Sequence, residues 1–94
     1  MPTFENPENL KKGDWVRLQS DRNGGWHLVP NGYVGVIVSL NANNTGKINV
    51  RLKFDNNGNR PNCVRTGSYV WALPAHVHPL LDLEVLGFVG RELL

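Results

Sequence analysis

The chain has 94 residues, of which 40% are hydrophobic and 19% are charged, and its formal net charge is +2. This composition predicts one globular domain and excludes an intrinsically disordered chain. No apolar run reaches the roughly 20 residues that a membrane-spanning helix needs, and the N-terminus lacks the apolar core of a signal peptide.

Cysteine usage predicts the cellular compartment of the protein, and the charge distribution predicts the charge of its partner. Cys63 is the single cysteine, which excludes a disulfide framework and favours a reducing compartment. We therefore expect an intracellular protein, cytoplasmic or nuclear. Residues 11–65 hold nine Lys or Arg against three Asp, a balance of +6, whereas residues 66–94 have a balance of −2. The basic part of the chain favours an acidic partner or a phosphate backbone.

The first third of the chain predicts a tether, a strand and a long loop. Residues 1–10 contain two prolines and several Asn and Glu, and we interpret them as an N-terminal tether to a single domain over residues 11–94. Residues 15–19 predict a strand with Val16 and Leu18 inward. Residues 20–32 predict a loop, because Asn-Gly pairs are strong turn signals. Loops this long are usually functional or partly packed.

Two strongly alternating segments predict a central hairpin. Residues 47–54 alternate Ile, Val, Leu and Phe with Lys, Asn and Arg, the pattern of a half-buried strand. Residues 33–40 repeat that pattern, with Val34, Val36, Val38 and Leu40 on one face. The polar residues 41–46 between them predict the connecting loop. Gly35 predicts a bulge or a close backbone approach within its strand.

The remaining third predicts two shorter strands. Residues 55–59 are turn-prone, and residues 68–73 predict a strand with Tyr69, Trp71 and Leu73 on one face. Residues 74–79, bracketed by prolines, predict a 3₁₀ turn. Residues 81–85 alternate Leu and Val with Asp and Glu, which predicts a short final strand. The apolar residues of 88–94 are expected to cover an open end of the domain.

These elements together predict an all-β fold, a small five-stranded Src-homology-3-like barrel with a long first loop and a 3₁₀ turn before the last strand. Closing a sheet removes the exposed edges that a small all-β chain would otherwise present. The predicted core consists of inward-facing residues of the first three strands: Val16, Leu18, Val34, Val36, Val38, Ile48, Val50, Leu52 and Phe54.

Motifs for catalysis are absent from the sequence. It has no glycine-rich phosphate loop, no nucleophile elbow and no His-Glu-x-x-His segment. Cys63 with His76 or His78 could form a nucleophile–base pair, and the same histidines could join His27 around zinc. A cysteine beside a proline-rich turn is more often a half-buried apolar residue, and histidines on an exposed turn are common. We therefore expect no enzymatic activity, no metal and no cofactor.

Aromatic and basic residues carry the binding hypothesis. Aromatic side chains bury a large area at little entropic cost, and basic side chains beside them steer acidic partners. Trp26, in the long first loop, is the ring most expected to be exposed; the alternative is that it folds back over the domain. The predicted binding residues are Trp26, Tyr33 and Trp71 as aromatic contacts and Arg17, Arg51 and Lys53 as charges.

Several short segments resemble known modules. Asn9 to Leu18, Gly32 to Ile37, Tyr69-Val70-Trp71 and Leu83 to Phe88 resemble the CPH domain of cullin-type and very large HECT-type ubiquitin ligases. Asp55-Asn56-Asn57-Gly58 followed by Arg65-Thr66-Gly67 is similar to the Mind-bomb/HERC-type module of ubiquitin ligases. Both resemblances imply a small barrel that recruits proteins without catalysis. Gly13 to Arg17 and Val50 to Phe54 are also similar to segments of photosystem and ferredoxin-reductase accessory subunits.

We therefore expect a non-catalytic interaction module, predicted to be monomeric, that docks an acidic protein segment or domain within the ubiquitin system. Two alternatives stay open. The cationic face of residues 47–53 could bind nucleic acid, although the sequence offers no RNP-type aromatic motif. The chain could also be an accessory subunit that docks an acidic redox protein.

Overall fold

A computed structural model of the protein describes residues 6, 8–19, 31–60 and 69–93. In these ranges the chain forms an antiparallel sheet followed by one helix. The elements in chain order are β1 (Trp15–Leu18), β2 (Val34–Ala42), β3 (Lys47–Phe54), β4 (Tyr69–Ala72), a 3₁₀ turn (Pro74–His76), β5 (Val77–Pro79) and α1 (Asp82–Glu92).

The five strands lie in the order β4-β3-β2-β1-β5, and all pairings are antiparallel. The predicted hairpin between β2 and β3 is confirmed. Its turn contains Asn43, Asn44 and Gly46 with positive φ angles, conformations that Asn and Gly adopt most readily. A 3₁₀ turn before the last strand is confirmed at Pro74–His76, whereas residues 77–79, predicted as part of the same turn, form β5. Pairing between β4 and β5 does not occur among the described residues, so closure into a barrel stays a prediction.

The main hydrophobic core lies on one face of the sheet, which we call the inner face. Alternation along β1 and along β3 as far as Leu52 places every second side chain there, as predicted. Val34 and Phe54, which were predicted to face the same way, are buried but lie on the opposite face. The buried cluster comprises Leu10, Val16, Leu18, Tyr33, Ile37, Ile48, Val50, Leu52, Ala72 and Val77. Leu10 belongs to the segment interpreted as a tether, and Asn6 holds it in place, because the two residues exchange hydrogen bonds of 2.8 Å.

The facing of β2 is the reverse of the predicted one, because Gly35 lies opposite the inward-facing residues Val16 and Leu52. Gly35 lies opposite Leu52 and Val34 opposite Phe54, so Lys53 is an extra residue on β3. The predicted irregularity at Gly35 is confirmed, because a Cβ atom there would lie 2.5 Å from the carbonyl oxygen of Arg51. Ile37, two residues further along β2, lies opposite Val50 and faces the core with 1% exposure.

The prediction that Val36 and Val38 belong to the core is therefore wrong. Both are half-buried, Val36 because it lies opposite Trp15 and Arg51 on the outer face of the sheet. A second register shift after Ile37 leaves Val38 unpaired with β3. Beyond that shift Leu40 packs against the main core, so the predicted alternation returns to its expected phase.

The predicted final strand over residues 81–85 is also wrong, because these residues enter α1. The Glu84 carboxylate accepts a hydrogen bond from the backbone N–H of Leu81 at 3.2 Å, which is one half of a capping box. Val85, Phe88 and Val89 then recur at helical spacing on the half-buried side of α1. The position beside β1 is occupied by β5 instead. The described part of the chain is thus mostly β with one helix.

The predicted long loop falls largely on residues 20–30, outside the described ranges. Its last two residues, Asn31 and Gly32, lead into β2, and the N–H of Gly32 donates to the carbonyl of Leu18 at 2.8 Å. None of the described helices is long and apolar enough to cross a membrane.

Candidate functional site

The face of the sheet opposite the main core, which we call the outer face, carries three of the six predicted binding residues: Arg17, Arg51 and Trp71. Residues directly opposite each other on antiparallel strands share a face. The register therefore places outer-face side chains in three rows: Arg17, Val34 and Phe54; Trp15, Val36, Arg51 and Tyr69; and Ser39, Asn49 and Trp71.

Helix α1 covers one part of this face through an aromatic stack. The Phe88 ring lies 6.4 Å from Trp15 and 5.1 Å from Phe54, measured between centroids, and Trp15 and Phe54 are 6.3 Å apart. Arg60 places its guanidinium 5.9 Å from the centroid of Phe54. Such ring contacts add to the area that burial removes from water, so this stack fixes the helix on the sheet.

Two ion pairs accompany the stack. The guanidinium of Arg17 lies 3.1 Å from the carboxylate of Glu84, and the ammonium of Lys53 lies 2.8 Å from Glu92. The acidic C-terminal segment therefore neutralises two of the three cations predicted to attract a partner. Arg17 and Lys53 thus form ion pairs within the molecule. Arg51 is the predicted cation that has no ion pair among the described residues.

The part of the outer face beyond the helix lies on the β3–β4 hairpin. Tyr69 is 55% exposed and lies directly opposite Arg51, while Trp71 is 44% exposed and lies opposite Asn49. Lys47, also exposed, continues the outward row of β3. The buried side-chain oxygen of Asn49 has no hydrogen-bond donor among the described residues, so it could accept a hydrogen bond from a ligand. We call Lys47, Asn49, Arg51, Tyr69 and Trp71 the hairpin face.

A cleft of about 340 Å³ lies between α1, β1 and the turn that follows β3. Its lining combines two guanidinium groups, two side-chain amides, one carboxylate and one aromatic ring. The residues are Arg17, Asn56, Asn57, Gly58, Glu84, Gly87, Phe88 and Arg91. The volume is at the lower end of the range of small-ligand sites.

The predicted site residues thus separate into four groups. Trp71 and Arg51 lie together on the hairpin face, whereas Arg17 and Lys53 pair with α1. Tyr33 is 4% exposed and belongs to the main core, so it does not line the outer face. Trp26 lies outside the described residues, and its predicted role stays a prediction.

Sequence reasoning missed Tyr69 and the contribution of α1. Tyr69 and Trp71 were predicted on one face of a short strand, and this shared face could have added Tyr69 to the predicted binding residues. The helical spacing of Val85, Phe88 and Val89 could have indicated α1, but these residues were assigned to a short strand and to a segment without regular structure.

Candidate metal ligands do not converge within the described residues: no group of three or more His, Cys, Asp or Glu side chains lies close enough to hold an ion. The predictions involving His27 and Cys63 fall outside the described ranges. His78 lies on the outer face opposite Arg17, and His76 ends the 3₁₀ turn.

Comparison of the chain with family models, with curated proteins and with solved structures finds no match.

Proposed function

We propose that this protein is a non-catalytic interaction domain that docks an acidic protein segment on the hairpin face. The observation that supports the proposal is the register of β3 and β4, which sets Arg51 beside Tyr69 and Trp71 on one exposed surface. Trp, Tyr and Arg are the residue types that most often dominate the free energy of protein–protein binding.

Exposure of the two rings is what makes this surface suitable. Aromatic side chains on a short strand bury a large area on contact and lose little rotamer entropy, because each has only two side-chain torsions. Arg51 and Lys47 supply positive charge on the same face, which would increase the association rate with an acidic segment.

The position of β4 in the sheet supports an extended ligand. Within the described residues β4 pairs only with β3 and ends the strand order. A strand at such an edge can accept a further strand through backbone hydrogen bonds, while side chains on one face supply specificity. The proposed segment is therefore extended, with carboxylates reaching Arg51.

We also propose that the sheet belongs to a Src-homology-3-like barrel that is left open at the edge of β4, of the kind used by protein-recruiting modules in ubiquitin ligases. The meander β1-β2-β3-β4, and the 3₁₀ turn that leads into a β5 paired with β1, support this assignment. The segments similar to the CPH and Mind-bomb/HERC-type modules suggest the ubiquitin system as its setting. Fold analogy alone does not identify a partner.

Nucleic acid is the second candidate ligand, and one observation favours it. Two exposed rings beside Arg51 and Lys47 also form a surface on which bases of a single strand can stack. The salt dependence of the binding affinity distinguishes a nucleic acid from an acidic protein segment. Affinity for a phosphate chain falls with a log–log slope of about −0.7 per phosphate neutralised on a single strand.

The proposal is tested by selecting short random peptides displayed on phage against the wild-type domain. We expect enrichment of sequences with Asp or Glu beside apolar residues, and weaker binding of those peptides by the double variant Arg51→Glu, Trp71→Ala. The variant Arg60→Glu has the same charge change outside the hairpin face and should keep binding.

Three outcomes would contradict the proposal. Selection of peptides without acidic residues would argue against a role for positive charge in binding. Equal binding by the double variant would argue against the hairpin face as the binding site. Binding of single-stranded RNA with the salt slope given above, together with no selectable peptide, would support nucleic acid instead.

A further inference from the structure

The cleft beside α1 holds more hydrogen-bond donors and positive charge than its own residues use. Its charged lining consists of Arg17, Arg91 and Glu84, a balance of +1. Arg17 pairs with Glu84, whereas Arg91 forms no ion pair among the described residues. A guanidinium has five N–H donors, and the carbonyl of Gly58 takes one donor of Arg91 at 2.6 Å.

The head group of Arg91 is held in place by the turn after β3. Gly58 has a φ of +83°, and a Cβ atom there would lie 2.9 Å from an Nη atom of Arg91, so the glycine makes room for the guanidinium. Asp55 braces the turn, because one of its carboxylate oxygens accepts hydrogen bonds from the N–H groups of Asn57 and Asn59 at 2.9 Å. A positioned cation loses little entropy when it binds an anion.

The rest of the cleft suits a small apolar body attached to that anion. Phe88 supplies an aromatic wall that is itself held by the stack with Trp15 and Phe54. Gly87 leaves open space, since no atom lies within 4 Å of the position that a Cβ would take. Asn56 and Asn57 add side-chain amides at the rim.

We propose that this cleft binds a carboxylate carried by a short apolar or aromatic group, with Arg91 as its charge partner and Arg17 as the second cation. The net charge of +1 in the cleft lining matches a monoanion, whereas a phosphate dianion would place two negative charges beside the carboxylate of Glu84. Guanidinium and carboxylate also match in planar geometry. The same chemistry is offered by a small organic acid and by the C-terminus of a peptide. This site lies apart from the hairpin face and does not depend on it.

The test is an NMR titration of the ¹⁵N-labelled domain with phenylacetate and, as a matched neutral control, phenylacetamide. A second pair of probes is a short peptide ending in Phe with a carboxylate, and the same peptide with a C-terminal amide. We expect the acids to shift the backbone signals of Gly58 and Gly87, with a Kd for phenylacetate of roughly millimolar magnitude. The neutral probes should cause no such shifts.

Substitutions test whether the positive charge of Arg91 binds the carboxylate. Arg91→Gln keeps a donor for the Gly58 carbonyl but removes the charge, and it should raise the Kd about tenfold. Arg91→Lys should have a smaller effect, because it keeps the charge without the planar fork. Arg51→Gln, which changes the hairpin face, should leave the titration unchanged, so failure here and failure of the proposed function are distinguishable.

Each outcome supports or overturns the proposal. Binding of the free acid identifies a small-molecule site, and binding of the peptide acid alone identifies a C-terminus as ligand; either supports it. Equal binding of acid and amide, signal changes confined to other parts of the chain, an unchanged Kd in Arg91→Gln, or no shift with either acid would overturn it.

Discussion

Val50 and Arg51 are neighbours in sequence, yet their side chains lie on opposite faces of β3. Val50 is fully buried in the main core, and Arg51 is exposed on the hairpin face. We expect Val50→Asp to cost at least about 4 kcal/mol and unfold the domain, because it buries an unpaired charge. Arg51→Asp should remain folded. Thermal denaturation followed by circular dichroism compares the two, and similar midpoints would contradict the assigned facing of β3.

Gly35 and Gly90 give a second matched pair at the residue scale. A methyl group at Gly35 would collide with the backbone of Arg51 and with a methyl of Val50, whereas nothing lies within 4 Å of one at Gly90. We expect Gly35→Ala to lower the free energy of unfolding by about 2 kcal/mol. Gly90→Ala should raise it by up to about 1 kcal/mol, because alanine favours a helix. Urea denaturation measures both, and a tolerated Gly35→Ala would argue against the tight β2–β3 contact.

At the scale of elements, α1 packs on the sheet through one side of its surface. Phe88 stacks on Trp15 and Phe54, whereas Leu86, on the same helix, is 67% exposed. We expect Phe88→Ala to destabilise the domain by about 2 kcal/mol and Leu86→Ala to change stability by less than about 0.5 kcal/mol. Chemical denaturation monitored by tryptophan fluorescence reports on both. An equal loss in the two variants would mean that α1 packs through a different side.

The sequence predicted strands well where both faces differ in polarity and predicted β2 less well. β1 and β3 have such alternation, and the boundaries of β1, β3 and β4 lie within a residue of those expected. In β2 both faces carry apolar residues, so alternation could not show that Gly35 and Ile37 are on the core side or that Val38 shifts the register. Residues 81–85 alternate like a strand, but alternation over five residues also fits a helix when the apolar residues that follow recur at helical spacing.

At the scale of the whole molecule, the uneven charge of the sequence becomes an internal contact. The acidic segment 82–92 lies on the basic sheet and pairs with Arg17 and Lys53. Composition could show the asymmetry but not the pairing, because pairing depends on a helix that the sequence pattern did not predict. Arg51 and Trp71 were predicted as binding residues and lie together, whereas burial of Tyr33 depends on packing that a single-strand pattern does not encode.

The ion pairs contribute to stability in a way that salt can test. Glu92→Gln removes the partner of Lys53 and should lower the free energy of unfolding by less than about 1 kcal/mol. The loss should shrink at high ionic strength, since salt screens charges at a partly exposed surface. Denaturant titrations at low and high salt measure it. A loss that is the same at both salt concentrations would show that the pair acts through packing.

The central claim is that the hairpin face binds an acidic segment, and a backbone NMR footprint tests it most directly. A peptide obtained by selection on the wild-type domain is titrated into the ¹⁵N-labelled protein, and the shifted signals are assigned. We predict the largest changes in residues 47–51 and 69–72, the two strands that carry Arg51, Tyr69 and Trp71. Changes confined to β1, β5 or α1, with β3 and β4 unaffected, would contradict the account.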